Sequence, residues 1–227
     1  MKTWLCWLLL IAALPVHALE PFAAQYRLLV DGQPRATAQF RLALEDQRYE
    51  LRTRVQPNGE PGAPAREILE SSQGSWSASE VRPERYLYSV RNDQQTQTLA
   101  LGFDWANQRL ILQSGDRQET YRLDEQAQDR LSYLLKAMML AAGNRKKISF
   151  PRLAVEGRET FTLERVRRQF LSTPAGRFLA LEIRVQSDHS PERRLWLAVE
   201  KGYLPLAIEQ KRPEGLVRME LTAIETP

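Results

Sequence analysis

The sequence predicts a mainly β protein with one large, curved antiparallel sheet of about 11 to 13 strands, forming an open or half barrel. One principal α-helix is expected to pack in or across the concave face of this sheet. Apolar and polar residues alternate with period two along most of the chain. Turn-forming residues recur about every 8 to 12 residues, which suits an antiparallel meander. A single strongly apolar helical segment, residues 128–141, interrupts the alternation.

The chain begins with a segment that has the features of an export signal. Lys2 supplies positive charge, the following residues 4–16 are almost all apolar, and Val16-His17-Ala18 offers small residues to a signal peptidase. We expect residues 1–18 to be cleaved, leaving residues 19–227 as one β-rich periplasmic domain without a stable transmembrane segment. An uncleaved anchor is the weaker alternative, because the apolar run is short for a bilayer and no stop-transfer segment follows.

Composition excludes several classes of function. Cys6 is the only cysteine of the chain and lies in the predicted signal peptide, so the mature protein can form neither a disulfide nor a thiolate metal site. Export and scattered arginines argue against a nucleic-acid partner. Arg145-Lys146-Lys147 and Arg165-Val166-Arg167-Arg168 are the exceptions to this scatter. The first cluster suits a helix C-terminus, and both could contact an anionic membrane surface.

The first predicted element is a β-hairpin. Alternation runs from Phe22 to Val30, Asp31-Gly32 supplies a tight turn, and alternation resumes over residues 36–44. A third strand, residues 49–55, ends at the turn-rich loop 57–62. Further candidate strands are residues 67–73, 86–90, 98–103, 109–113 and 120–123 before the helix, and 147–150, 160–167, 176–186, 194–199, 206–210 and 216–224 after it. No helix-length insert separates the strands that follow the helix, which excludes a parallel βαβ topology.

The helix is predicted to begin at Asp124 as its N-cap and to end at Gly143-Asn144. Apolar residues cover most of its circumference, so it requires burial on more than one side, which a curved sheet supplies. Core packing is the simpler explanation of this pattern. The alternative is that the helix face toward the sheet borders a ligand cavity that methionines can reshape. The residues of that candidate ligand site are Leu131, Leu134, Leu135, Met138 and Met139.

The sequence supports no catalytic residue, metal site or cofactor. His189 is the sole histidine after signal removal, and its neighbours Asp188 and Ser190 are too close in the chain to converge with it as a triad. One histidine without cysteine does not easily make a zinc or haem site, although carboxylate-bound calcium stays open. Ser132 and Lys136 lack the remaining motifs of serine–lysine hydrolases, so we expect them to be an exposed pair.

Five segments stand out along the chain, and together they span most of it from Pro21 to Ile224: "PFAAQYRLLVDG", "LALGFDWANQRL", "QDRLSYLLKAM", "STPAGRFLALEIRV" and "RRLWLAVEKGYLPLAIEQ". In this order they resemble the bacterial DUF3108 family of secreted proteins of unknown function. The resemblance implies a large curved antiparallel sheet with a helix, similar in outline to the LolA/LolB-type periplasmic lipoprotein carriers. It implies no catalytic residues, and a role with apolar ligands follows only by analogy of fold.

Three functions are therefore compatible with the sequence. The first is a periplasmic, non-enzymatic binding or carrier protein for an apolar or lipid-like envelope ligand, which requires a concave apolar surface near the helix. The second is a structural or assembly factor that docks on another envelope protein, which requires an exposed apolar or edge-strand patch. An unrecognised hydrolase is the third and the least favoured.

Overall fold

A computed structural model describes residues 19–59, 66–91, 95–154, 157–213 and 215–225. The predicted signal peptide, with Cys6, and residues 60–62 of the predicted loop lie outside these ranges. The signal peptide therefore stays a prediction.

Fourteen strands and one helix make up the described part of the chain, so the predicted fold class is confirmed with slightly more strands than the expected number. In chain order the elements are β1 (Phe22–Val30), β2 (Gln33–Glu45), β3 (Arg48–Pro57), β4 (Glu67–Trp76), β5 (Val81–Arg91), β6 (Thr96–Asp104), β7 (Arg109–Ser114), β8 (Arg117–Arg122), α1 (Ser132–Ala142), β9 (Lys147–Ala154), β10 (Gly157–Thr173), β11 (Gly176–Ser187), β12 (Arg193–Ala198), β13 (Pro205–Arg212) and β14 (Gly215–Glu225).

All fourteen strands belong to one antiparallel sheet in the order β8-β7-β6-β5-β4-β3-β2-β1-β14-β13-β12-β11-β10-β9. Two meanders, β1 to β8 and β9 to β14, are thus joined where the first strand pairs with the last, for example Arg27 opposite Glu220. The predicted hairpin at Asp31-Gly32 is confirmed, with both residues at positive φ as a tight two-residue turn requires. The sheet is unclosed, and β8 and β9 form its edges.

The sheet curls around the helix, because α1 contacts strands that are far apart in the sheet order. It packs against β5 in the first meander and against β9, β10 and β11 in the second. Seven strands lie between β5 and β11. A flat sheet would hold these two strands about 38 Å apart, whereas a helix is roughly 10 to 12 Å wide. Both can touch α1 only if the sheet bends around it, and that bend encloses the core.

Strand alternation fills this core. In β2, Ala36, Ala38, Phe40 and Leu42 are buried while the residues between them are exposed, the pattern expected when one face packs inward and the other meets water. The largest difference from the prediction is β10, which runs to Thr173 rather than ending near residue 167. A bulge between Arg165 and Arg168 breaks the period-two pattern within this strand, so alternation alone missed its second half.

The predicted N-cap of the helix was wrong. Leu131 occupies the N-cap position of α1 without a side-chain capping bond. Asp129, not Asp124, supplies the capping side chain: its Oδ1 accepts hydrogen bonds from the backbone N–H groups of Leu131 (2.7 Å) and Ser132 (2.8 Å). Ser132 Oγ accepts a hydrogen bond from the Asp129 N–H in return (2.9 Å). This reciprocal pair satisfies amides that the first turn leaves without helical partners. The predicted end at Gly143 is confirmed, since the Gly143 N–H donates to the Met139 carbonyl.

The Asp129 cap is also tied to the sheet. Ser72 of β4 donates a hydrogen bond to Asp129 Oδ2 (2.6 Å), and the hydroxyls of Tyr49 in β3 and Ser72 lie 2.9 Å apart. Since the Ser72 hydroxyl donates to the carboxylate, the Tyr49 hydroxyl donates to Ser72. Asp129, Ser72 and Tyr49 are all buried. The helix start is therefore anchored to the first meander by a buried polar chain.

Gln128 connects the same point to the other end of the sheet. Its N–H donates to the Pro151 carbonyl (2.9 Å), and its carbonyl accepts from the Leu153 N–H (2.7 Å), so it forms a short parallel bridge with the edge strand β9. Its side-chain Nε2 donates to the Val81 carbonyl of β5 (3.0 Å). The segment 128–129 thus links β4 and β5 to β9 without any pairing between those strands.

The expectation of an exposed Ser132–Lys136 pair was wrong, because both side chains are buried. Ser132 belongs to the cap described above. The Lys136 ammonium lies 5.7 Å from the centroid of the Phe150 ring, where the aromatic face partly compensates for lost water. Burial lowers the pKa of Lys136 from its usual value. A helix that is enclosed on most sides buries even its polar positions.

Replacing Asp129 by alanine is expected to destabilise the protein by about 3 kcal/mol, because the change removes the cap and leaves buried donors unpaired. Asp124→Ala is the matched control. The Asp124 carboxylate pairs with the exposed Arg158 guanidinium (2.7 Å), and an exposed pair of this kind should cost less than about 1 kcal/mol to lose. Urea unfolding of the three proteins measures both values. Equal losses would show that Asp129 does not cap the helix.

The stability of the protein should also depend on the protonation of Asp129. Burial raises the pKa of its carboxyl from 3.8 to about 6, although the hydrogen bonds from Ser72, Ser132 and Leu131 act in the opposite direction. The folded protein therefore holds this proton more tightly than the unfolded chain. The stabilisation that the bound proton provides is complete below the pKa of the Asp129 carboxyl in the unfolded chain. It is lost as the pH rises through about 6, the pKa in the folded protein.

The test of this pH dependence compares the wild type with Asp129→Asn, whose side chain does not titrate. The free energy of unfolding of the wild type minus that of the variant should fall from about pH 4 to about pH 7. Other titrating groups cancel in the difference. A difference that stays constant or rises over this interval contradicts the raised pKa.

Candidate functional site

The five helix residues of the predicted ligand site lie in the interior of the protein. Leu131, Leu134, Leu135 and Met138 are buried in the main core, and Met139 is partly buried against it. None of them lines either of the two cavities described below. The packing observed around these side chains corresponds to the simpler of the two explanations of the helix pattern, and a ligand-binding role for them stays a prediction.

A cavity of about 770 Å³ lies beside the helix start, and we call it the inner cavity. Both meanders of the sheet border it, together with Arg130 just before α1. Its lining residues are Leu28, Ile68, Glu70, Tyr88, Arg130, Arg152, Arg158, Glu159, His189, Ser190, Pro191, Arg193, Ile208, Gln210, Arg212, Pro213, Val217 and Met219. It therefore occupies the end of the curled sheet that carries the β11–β12 loop and the β13–β14 turn.

Strand register explains one wall of the inner cavity. Leu28 of β1 lies opposite Met219 of β14, which lies opposite Ile208 of β13, so the three side chains form one apolar row across the sheet. In the next row toward the strand ends, Val217 lies opposite Gln210, which lies opposite Arg193. The wall thus changes from apolar near the core to polar near the rim.

The facing wall comes from β4 and β5, where Glu70 lies directly opposite Tyr88. The Tyr86 hydroxyl donates a 2.6 Å hydrogen bond to Glu70, and the Arg130 guanidinium lies 5.3 Å from the Tyr88 ring centroid. Burial and the Glu70 carboxylate raise the pKa of Tyr86 far above its usual value, so this phenol stays a donor. The wall offers an aromatic surface next to a cation.

A buried ion pair lies at the base of the inner cavity. Arg152 of β9 and Glu159 of β10 are cross-strand partners, and their side chains form an ion pair. Glu159 also accepts hydrogen bonds from the hydroxyls of Ser187 and Ser190, and the Arg152 guanidinium lies 4.6 Å from the Phe161 ring centroid. A buried ion pair is stable only when further contacts replace the lost water. The two serine hydroxyls and the Phe161 ring supply these contacts, so the Arg152 and Glu159 side chains are held in fixed positions.

Arg193 links the cavity to the helix. Its Nη1 donates to the Tyr133 hydroxyl (2.7 Å), and its Nη2 donates to Gln210 Oε1 (3.0 Å). Counting side chains, five arginines and two glutamates line the inner cavity. The lining therefore carries an excess of positive charge next to an apolar wall, and it can receive a molecule that combines an apolar part with a negative group.

A second concavity, of about 740 Å³, lies on the opposite face of β2 to β6, and we call it the outer groove. Leu69 and Leu87 are 41% and 40% exposed there, although β4 and β5 are internal strands of the sheet. Arg41 and Arg52 lie directly opposite each other on β2 and β3, a like-charge arrangement that is unfavourable in a sheet. The outer groove thus combines two exposed leucines with four arginines and two glutamates.

His189 lies in the β11–β12 loop with its side chain 70% exposed, and its Nε2 is 3.9 Å from the Asp188 carboxylate. The nearby hydroxyls of Ser187 and Ser190 donate to Glu159 instead. Within the ranges that the structure describes, no group of three or more His, Cys, Asp or Glu side chains is arranged to hold a metal ion. Across the same ranges, no helix has both the length and the apolar character that a bilayer crossing requires.

The inner cavity could not be identified from the sequence, because its residues come from separate strands. In the sequence, Ile208 and Val217 were recognisable only as members of two predicted strands, residues 206–210 and 216–224. Their sharing of one wall depends on the β1–β14 and β13–β14 pairings, which period-two alternation does not specify. The one available signal was the accumulation of arginines and apolar residues near predicted strand ends.

Comparison with solved structures supports the fold. A β-barrel-like protein of the domain of unknown function DUF1849 from Brucella abortus superimposes with a TM-score of 0.63 at 9% identity, covering 92% of this chain and 98% of that chain. A DUF1089 family protein from Pseudomonas aeruginosa gives a TM-score of 0.44 at 15% identity, covering 74% of this chain and 87% of that chain. At 9% identity, the likeness to the Brucella abortus protein concerns the fold alone.

No curated protein matches the sequence. Residues 22–222 match the family described as "Protein of unknown function (DUF3108)", which confirms the resemblance found in the quoted segments. The open, curled sheet with one enclosed helix also agrees with the lipoprotein-carrier-like outline expected from that resemblance. Since the match covers most of the chain, this protein belongs to the DUF3108 family.

Proposed function

We propose that this protein is an exported, non-enzymatic periplasmic binding protein that holds an apolar or lipid-like envelope molecule in the inner cavity. The observation that carries the proposal is the in-register row of Leu28, Met219 and Ile208 in a cavity that five arginines and two glutamates also line. A volume of about 770 Å³ falls within the range of roughly 300 to 1,000 Å³ that small-molecule sites occupy. The export signal in residues 1–18 supports the location.

The charge of the lining favours a ligand with a negative group. Arg130 and Arg193 lie on opposite sides of the cavity, and each is positioned by aromatic or hydroxyl contacts rather than lying free in solvent. An acyl chain would lie against the apolar row, and a carboxylate or phosphate would lie near these guanidinium groups. The ligand class is thus an anionic amphiphile.

An assembly factor that docks on another envelope protein is the second candidate. The outer groove favours it, because Leu69 and Leu87 expose apolar surface on strands that have neighbours on both sides. The filled interior around α1 is also consistent with this role. The two candidates place their binding surfaces on opposite faces of the sheet, so substitutions can separate them.

Protein isolated from the periplasm is expected to carry an amphiphile. Native mass spectrometry should show the processed chain together with an added mass that organic extraction removes. The extracted protein should then bind a fluorescent long-chain fatty acid more tightly than the corresponding fatty alcohol, because only the acid carries a charge. A clean apoprotein that also fails to bind the fatty acid contradicts the carrier function and leaves the assembly factor.

Filling the inner cavity should abolish this binding. Val217→Trp places a large side chain on the cavity wall, at a partly buried position outside the main core, and is expected to weaken fatty-acid binding at least about tenfold. Leu69→Trp in the outer groove is the matched control and should leave the affinity unchanged. If only the control loses binding, the outer groove is the ligand site and the proposal is wrong. Thermal unfolding of both variants checks that the fold is intact.

A further inference from the structure

The structure brings together the two basic clusters that the sequence keeps 20 residues apart. The Arg165 N–H donates to the Lys146 carbonyl (2.9 Å), and the Arg165 guanidinium donates to the carbonyl of Gly143 at the helix end (2.6 Å). Lys147 lies opposite Glu164 in the β9–β10 ladder. The region where the helix end meets β9 and β10, which we call the basic corner, therefore contains six cations, all of them exposed except the half-buried Arg165: Arg145, Lys146, Lys147, Arg165, Arg167 and Arg168.

The basic corner concentrates positive charge. Two carboxylates lie within it: Glu164, 3.8 Å from the Lys146 ammonium, and Glu182, 3.2 Å from the Arg167 guanidinium. Six cations against two carboxylates leave a local surplus of four positive charges.

Exposed apolar side chains accompany this charge. β9 pairs with β10 only between Gly157 and Glu164, so beyond that point one edge of β10 has no partner among the strands of the described residues. On this overhang the side chain of Val166 is 38% exposed and that of Phe170 is 64% exposed, the largest exposure among the described large apolar residues. The Arg177 guanidinium lies 4.5 Å from the Phe170 ring centroid.

We propose that the basic corner docks this protein on a bilayer that contains anionic phospholipids. The charge surplus suits a dense array of phosphate groups, and Phe170 can enter the interfacial region while the arginines stay at the headgroups. The protruding edge of β10 suits a broad, flat partner, whereas a small ligand requires a concavity. This surface lies apart from the residues that line the inner cavity, so the inference goes beyond the proposed function.

Vesicle flotation with the processed protein tests the docking. The protein should float with vesicles of phosphatidylcholine and phosphatidylglycerol, should bind vesicles of phosphatidylcholine alone only weakly, and should be released as the salt concentration rises. Equal binding to both kinds of vesicle, or binding that salt does not affect, overturns the proposal. Failure to bind either vesicle also overturns it and directs attention to an acidic protein partner.

Matched variants locate the surface. Arg145→Gln, Lys147→Gln and Arg168→Gln remove three cations that form no ion pair with other described residues, and together they should weaken vesicle binding roughly a hundred-fold. The control is the combination of Arg41→Gln, Arg85→Gln and Arg122→Gln, which changes the net charge equally on other exposed strand positions. A loss of binding in the control that matches the loss in the corner variant contradicts the assignment.

A second pair of variants tests the apolar contact. Phe170→Ser should weaken vesicle binding at least about fivefold, because it removes the exposed aromatic ring. Leu87→Ser, which removes an exposed apolar side chain from the outer groove, should have no effect. Fatty-acid binding should be unchanged in all of these variants, so failure of the docking proposal can be distinguished from failure of the proposed function.

Discussion

The architecture depends on one buried joint, where the short segment 128–129 meets two distant parts of the sheet. Asp129 is hydrogen-bonded to the start of α1 and to Ser72 of β4, while Gln128 bridges to β9 and reaches the Val81 carbonyl of β5. A sheet of fourteen strands has a strong tendency to twist and curl, but nothing in a meander sets how far it curls. The hydrogen bonds of segment 128–129 set the degree of curl, because they connect strands that do not pair with each other. The interior that α1 fills and the inner cavity beside it both follow from this constraint.

Local chemistry made most of the strands predictable. Each of the fourteen candidate segments overlaps one observed strand, although the expected total was 11 to 13 and the second half of β10 was missed. Asp31-Gly32 and Gly143 were placed correctly because a tight turn and a helix end depend on few neighbouring residues. The helix start was misplaced because Asp124 and Asp129 are equally good caps in isolation. Ser72, which donates to Asp129, and the β9 backbone, which bonds to the neighbouring Gln128, are both distant in sequence. For the same reason Lys136 was expected to be exposed, since its burial depends on Phe150.

The candidate site was less predictable than the fold. The apolar helix drew attention to Leu134 and Met138, whose packing in the core suffices to explain their pattern. The residues that line the inner cavity are individually ordinary, and only the register between β1, β13 and β14 makes Leu28, Met219 and Ile208 neighbours. A pattern that is read along one strand contains no information about which strand lies beside it. In a meander sheet, strand pairing therefore brings the residues of a site together, and these residues need not form a sequence motif.

The pairing of β1 with β14 also has a consequence for how the molecule is made. Gln25 and Glu225, which are joined by a side-chain hydrogen bond across this seam, are 200 residues apart in the chain. Until β14 emerges, the free edge of β1 exposes unpaired backbone amides and carbonyls to any other strand that is nearby. Loop closure over such a distance is slow compared with hairpin formation. The two meanders can therefore fold early, whereas the seam between β1 and β14 closes last, and until it closes the free edge of β1 can pair with a strand of another copy.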